Sequence, residues 1–216
     1  VEAGDRVARG GAGRHHGEAA ESGVPVTAVP KLTVEDYLAM EAEATEKHEF
    51  YGGEVVAMSG ARPAHNVVTT RLTLAVGNAL GSRPCLTFSS DQRVRVDETG
   101  AYCYPDLSLV CGRPDFAGPA PDSLLNPTAI FEVLSPTTES WDRGGKFSHF
   151  QHVASLQVYA LVDPTLRRIE WYTRSADRLG EWIYRSVDAR GVAVLDTLSI
   201  SLDAEEIFSP LDLLEG

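Results

Sequence analysis

Glu132 constrains this chain more than any other residue, because it sits inside the most apolar short run: Thr128-Ala129-Ile130-Phe131-Glu132-Val133-Leu134. Such a run reads as a buried strand. An ionised carboxylate there is costly unless a cation, a basic side chain or hydrogen bonds compensate it. Two readings are open at this point. Either the strand lies at a sheet edge and Glu132 faces water, or it lies inside and Glu132 faces a partner.

The pattern around that strand mixes strands with helices. Thr33 and Asp36 form a capping box, with Asp in place of the usual Glu, and open a helix over Val34–Glu43. The β-prone stretches His48–Tyr51 and 54–58 flank Gly52-Gly53, a hairpin signal. A longer helix fits 64–80, with Val68, Leu72, Ala75 and Ala79 on its apolar stripe and Gly81 at its C-cap. Cys85–Ser89, 92–96 and Leu107–Cys111 read as strands, 97–100 as a polar turn and the proline-rich 112–127 as a loop. Residues 135–145 read as a loop into a helix over 146–154. Strands follow at 157–162, 168–173 and Trp182–Val187, and an amphipathic segment at 204–214. This order predicts an α/β fold, a mixed β-sheet flanked by helices. No GxGxxG or Walker loop occurs, so no phosphate cradle of that kind is expected.

The chain has 216 residues, 43% hydrophobic and 23% charged, enough for one domain with a core. Residues 1–29, rich in Gly, Ala, Glu and Arg, read as a disordered tail in which His15 and His16 are inert, which leaves 30–216 as the folded domain. No apolar run approaches the roughly 18 residues of a membrane span, and no signal pattern opens the chain. A cytoplasmic protein without membrane contact is therefore expected. Cys85, Cys103 and Cys111 are odd in number and form no CxxC pair, which argues against a disulfide framework and a cysteine zinc site. The net charge of −12 counts against broad, non-specific binding of a polyanion. It leaves room for basic residues concentrated in one cleft.

Asp106 is the second informative acid. Of the Pro-Asp pairs, Pro105-Asp106 alone is followed by a strand. Pro114-Asp115 and Pro121-Asp122 fall in the proline-rich loop. Two carboxylates ending neighbouring strands suit Mg²⁺, and such a site hydrolyses phosphodiesters. Lys146 shares a helical face with the apolar Phe150 and Val153. It turns towards the sheet and meets an acid, or it snorkels from a helix end. Glu49 is a third carboxylate, or an exposed strand glutamate. Arg62, Arg71, Arg93 and Arg95 line a phosphate groove or are scattered surface residues. His149 and His152 have chelating spacing without a third ligand nearby. Ser135 lacks a nucleophile elbow, and Trp141, Trp171 and Trp182 read as packing or rim residues rather than base-stacking platforms.

Several segments taken in order carry a resemblance: Leu32-Thr33-Val34-Glu35-Asp36-Tyr37-Leu38, His48-Glu49-Phe50-Tyr51-Gly52-Gly53-Glu54-Val55, Pro105-Asp106-Leu107, Glu132-Val133-Leu134-Ser135-Pro136-Thr137, Asp142-Arg143-Gly144-Gly145-Lys146 and Tyr159-Ala160-Leu161-Val162-Asp163-Pro164. Together they resemble the Uma2 family of restriction-endonuclease-like proteins, within the PD-(D/E)XK nuclease superfamily, over about residues 31–171. The resemblance implies the restriction-endonuclease-like core and a divalent-metal site. Asp106 matches the motif aspartate, Glu132 the motif glutamate and Glu49 the additional acid. The motif expects lysine two residues after the glutamate, where this chain has Leu134. The resemblance is to variants whose lysine has moved to the following helix, which makes Lys146 the substitute. His65, opening the long helix, matches a position where similar proteins often carry histidine; a capping or surface role is the alternative.

The function implied is a Mg²⁺-dependent endonuclease acting on DNA, with Mn²⁺ as a substitute ion. Glu49, Asp106, Glu132 and Lys146 would be catalytic, and Asp106, Glu132 and Glu49 the metal ligands. The alternative is a catalytically inactive nuclease-fold interaction or assembly module, favoured by the acidic balance and the missing motif lysine. A nuclease dependent on a basic partner is a third reading. Cutting both strands of a duplex often uses two symmetric sites, so a homodimer fits the nuclease reading, although no interface is legible.

Overall fold

The computed structural model describes residues 31–58, 60–117 and 123–214. The stretch expected to be a tail, with His15 and His16, lies outside them, as does Pro121-Asp122. The elements run α1 (Val34–Glu43), β1 (His48–Tyr51), β2 (Glu54–Ala57), α2 (Pro63–Leu80), β3 (Cys85–Ser89), β4 (Val94–Val96), β5 (Ala101–Cys103), β6 (Leu107–Cys111), β7 (Phe116–Ala117), β8 (Ser123–Leu124) and β9 (Ala129–Val133). A π-helical turn (Trp141–Lys146) then leads into α3 (Phe147–Phe150). Strands β10 (Val158–Asp163), β11 (Arg168–Arg174), β12 (Trp182–Val187), β13 (Val192–Leu195) and β14 (Ile200–Asp203) and helix α4 (Ala204–Phe208) complete the order.

The central sheet has the strand order β12-β11-β10-β9-β6-β3. It is mixed: β9 and β10 run parallel, and the other neighbours run antiparallel. Strand β9 lies inside this sheet between β6 and β10, with every residue buried. That rules out the edge-strand reading of Glu132. Both faces of β9 are covered, which is why its sequence is a continuous apolar run. Ala129, Phe131 and Val133 face the core shared with Val68, Leu72, Val76 and Leu80 of α2. Ile130 faces the opposite core, with Phe147, Phe150, Leu156 and Tyr159. The two-residue period of a strand puts Glu132 on this second face.

A second sheet, in the order β2-β1-β5-β4-β8-β7, carries Glu49. Its first hairpin turns at Gly52 and Gly53, whose φ values of 56° and 94° suit glycine. The capping box forms: Thr33 Oγ1 accepts from the Asp36 N–H at 3.1 Å, and the Thr33 N–H donates to Asp36 Oδ2 at 3.2 Å. Strand β13 pairs with β14 against α2. Among the described residues no helix is long and apolar enough to cross a membrane.

The structure departs from the sequence reading in several places. Residues 141–145, expected to be loop, are already helical and wound with Lys146 as a π turn. The proline-rich loop holds the two-residue strands β7 and β8. Strands β5, β13 and β14 were not expected. The hairpin of β13 and β14 turns at Ser199, in the left-handed region at φ 50°, rather than at a glycine. The cysteine reading is corrected as well. Cys85 and Cys111 are direct partners in the β3–β6 ladder and form a disulfide. One cross-strand bridge needs only two sulfurs brought opposite by register, and Cys103 stays buried and free.

Candidate active site

Three acids converge on one lysine. Lys146 Nζ lies 2.9 Å from Glu132 Oε1, 3.0 Å from Glu49 Oε1 and 3.8 Å from Asp142 Oδ1. All four side chains are buried. Asp106 stands beside them, half-buried at the start of β6. Its Oδ2 accepts from the Val133 N–H at 2.8 Å, and its own N–H points at Glu132 Oε2 at 3.4 Å. His65 Nε2 approaches Asp106 Oδ2 at 3.3 Å from the first turn of α2.

Each placement has a local cause. Glu49 alternates into the protein from β1, while its rival Glu54, on β2, is exposed. Its carboxylate accepts from Tyr51 Oη at 2.7 Å and from the Tyr104 N–H at 2.9 Å. The π turn puts Asp142 and Lys146 on one side. Arg143 points the other way and grips Glu170 of β11 through two contacts of 2.6 and 3.2 Å. Tyr159 Oη donates to the Asp142 carbonyl at 2.9 Å and ties the same turn to β10.

The electrostatics follow from burial. Desolvation drives the Glu132 carboxyl well above the usual carboxylate range; the Lys146 charge opposes this, and Asp142, Asp106 and Glu49 add to it. Asp142 is raised for the same leading reason. Burial works against the Lys146 charge, yet Glu132 and Glu49 outweigh it and hold the ammonium protonated. Burial also disfavours imidazolium at His65, but the Asp106 hydrogen bond and charge more than offset it, so its pKa rises. Tyr51 is raised by burial and stays a hydrogen-bond donor.

Comparisons with known proteins show the family and the fold. The model of the Uma2 family, described as "Putative restriction endonuclease", matches residues 34–205. The chain belongs to the Uma2 family. Two relatives from Synechocystis sp. (strain ATCC 27184 / PCC 6803 / Kazusa) resemble it over most of their length. "Uncharacterized protein slr1290" is 34% identical over 187 residues, covering 87% of this chain and 96% of the relative. "Uncharacterized protein sll1609" is 35% identical over 152 residues, covering 70% and 85% respectively. A crystal structure described as "a putative nuclease belonging to DUF820 from Anabaena variabilis ATCC 29413" superposes with a TM-score of 0.65 at 14% identity. It covers 82% of this chain and 98% of that one, and so shares the fold.

In this Uma2 chain the donor set fits a divalent cation. Glu132 Oε1 is buried and has no well-directed hydrogen bond; its 2.9 Å approach to Lys146 is a Coulombic contact at a poor angle. Such an oxygen is suited to a cation. Among the described residues, no three His, Cys, Asp or Glu side chains already form a ready-made cage. The Lys146 ammonium instead serves as the counter-ion between Glu49 and Glu132.

The site opens into a cleft of about 950 Å³. Glu46 and Asp91 add to the acids on its walls, against Lys47, Arg62 and Lys146, so the acids outnumber the bases. Of the four arginines considered for a phosphate groove, only Arg62 lines this cleft. Arg71 Nε donates to the Glu206 carbonyl at 2.9 Å, Arg93 is buried against Ser123, and Arg95 pairs with Asp97. His152 pairs with Glu98, and His149 lies against Tyr51, so the two do not chelate. Ser135 Oγ bonds the hydroxyls of Thr137 and Thr138. Asp142 was not singled out from sequence. The signal was its i,i+4 spacing from Lys146, hidden by the expectation of a loop there.

Proposed function

We propose that this protein is a divalent-metal-dependent endonuclease that hydrolyses phosphodiester bonds in DNA. The observation that carries the reading is Glu132: a carboxylate inside a central strand, facing Lys146 and Glu49 at the floor of a cleft whose rim holds Asp106 and His65. Membership of a family described by restriction endonucleases supports the same chemistry.

Asp106, Glu132 and Glu49 are the residues that would hold Mg²⁺, with Mn²⁺ as a substitute. The ion would neutralise charge on the scissile phosphate and make the attacking water more acidic. The chain's own groups do the rest. Lys146 keeps its proton, so it acts as a donor that stabilises charge on a phosphate oxygen rather than as a base. Glu49 orients a water, itself fixed by Tyr51 and the Tyr104 N–H. Asp106 is clamped by the Val133 N–H, which fixes its carboxylate relative to Glu132.

One observation favours the alternative of an inactive interaction module: the ammonium already balances Glu49 and Glu132, and the cleft is acidic. Cleavage separates the two readings. Supercoiled plasmid and single-stranded DNA are incubated at low salt with Mg²⁺ or Mn²⁺, beside Asp106→Asn and Glu132→Gln. Metal-dependent nicking lost in both variants is the expected result. Activity equal in wild type and variants, or none in any of them, would remove the nuclease reading.

A further inference from the structure

Trp141 is a large ring in this cleft that the metal chemistry leaves unused. It is 39% exposed and lines the same cleft as Asp106, Asp142 and Lys146. Its position is built into the fold. The π turn lays the indole over Gly145, where a Cβ would fall inside the ring, so only glycine admits it there. Tyr51 meets it edge-on, with centroids 4.9 Å apart and planes at 75°, and His149 lies 6.2 Å away. An indole held this firmly yet left open offers a flat π surface to a planar ligand.

The cleft's charge points the same way. Because the acids there outnumber the bases, contacts to phosphates supply little of the affinity for a polyanion. Stacking on an aromatic ring supplies affinity that does not depend on charge and tolerates any sequence. A base inside an intact duplex has both faces occupied, so a ring at this rim is reached by an unpaired one.

We propose that Trp141 is a stacking platform for an unpaired nucleobase beside the scissile phosphate. The site therefore takes single-stranded or locally opened DNA in preference to intact duplex. This rests on the nuclease reading above and adds a substrate class to it.

The test uses the full chain with Ca²⁺ in place of Mg²⁺ and reads binding by anisotropy of labelled oligonucleotides. The probes are an oligothymidylate, an abasic strand of the same length and a duplex. The thymidylate is expected to bind about tenfold tighter than the abasic strand. Trp141→Leu should erase that difference, and Trp141→Phe should retain most of it. Equal binding of the base-bearing and abasic strands by the wild type overturns the platform, and that comparison needs no variant to fold. A difference that survives in Trp141→Leu overturns it too. If the duplex and the abasic strand bind as tightly as the thymidylate and plasmid is still nicked, the platform falls and the nuclease reading stands. If no probe binds and nothing is cleaved, both fall.

Discussion

Glu132 and Lys146 form a buried pair in which Lys146 keeps Glu49 as a second partner, while Glu132 has no other base beside it among the described residues. Glu132 has a raised pKa in the fold, so folding favours its protonated form. The sign follows directly: its contribution is favourable below the ordinary carboxylate range and is lost as pH rises through the raised value. The metal-free protein therefore carries a cost from Glu132 at neutral pH. Glu132→Gln is expected to raise its melting temperature, and more at about pH 8 than at about pH 4. The shift should be roughly 2–4 °C per kcal/mol relieved. A gap that is constant across pH, or reversed, would contradict this. Lys146→Met is the opposite case. It leaves Glu49 and Glu132 buried without their counter-ion and should destabilise the metal-free protein by about 3–5 kcal/mol, read by urea melts at neutral pH. The need for a partner at Glu132 was legible in the sequence because an acid interrupts an apolar strand. Its partners were legible only through the family resemblance, which set Lys146 and Glu49 beside it; Asp142 was missed because its segment is unexpectedly wound.

The π turn is the element on which the site depends. It presents Asp142 and Lys146 inward and Trp141 to the cleft, while Arg143 anchors it to β11 through Glu170. Removing the anchor strands a buried carboxylate. Arg143→Met should cost about 1–3 kcal/mol, and the double change with Glu170→Gln should recover part of that loss in a double-mutant cycle. Full additivity in that cycle would mean the two side chains do not support one another. Gly145→Ala drives a Cβ into the indole and should cost about 1–3 kcal/mol through overpacking. Most long elements could be read from their periodicity: α1, β3, β6 and β12 have the expected bounds, and α2 begins one residue earlier. The π turn could not, because Asp142-Arg143-Gly144-Gly145 has the composition of a loop and is helical only through its tethers to β10 and β11. The β13–β14 hairpin escaped notice for a related reason. Its turn uses a left-handed Ser199, which carries no glycine signal.

At the scale of the whole molecule, two sheets and the helices packed on the central one bring β1, the start of β6, β9 and the π turn to one cleft. The family resemblance carried this assembly better than local pattern did, because short strands such as β5 and β8 hold little signal of their own. The cross-strand disulfide was equally illegible: only the β3–β6 register shows that Cys85 faces Cys111. Clustered acids concentrate unfavourable charge at the site, so an ion that binds only the folded chain should stabilise it. At a hundredfold excess over its dissociation constant the gain is about 2.7 kcal/mol. Binding should strengthen as pH rises, because Glu132 must release its proton to act as a ligand. The role proposed for the acid buried in the central strand is to hold a cation. Calorimetric titration of Mn²⁺ into the full chain tests it most directly, beside Glu132→Gln and Asp106→Asn proteins whose folding is checked by circular dichroism. Saturable binding in the wild type and its loss in both variants is the expected result. Binding that persists unchanged in folded Glu132→Gln would contradict it.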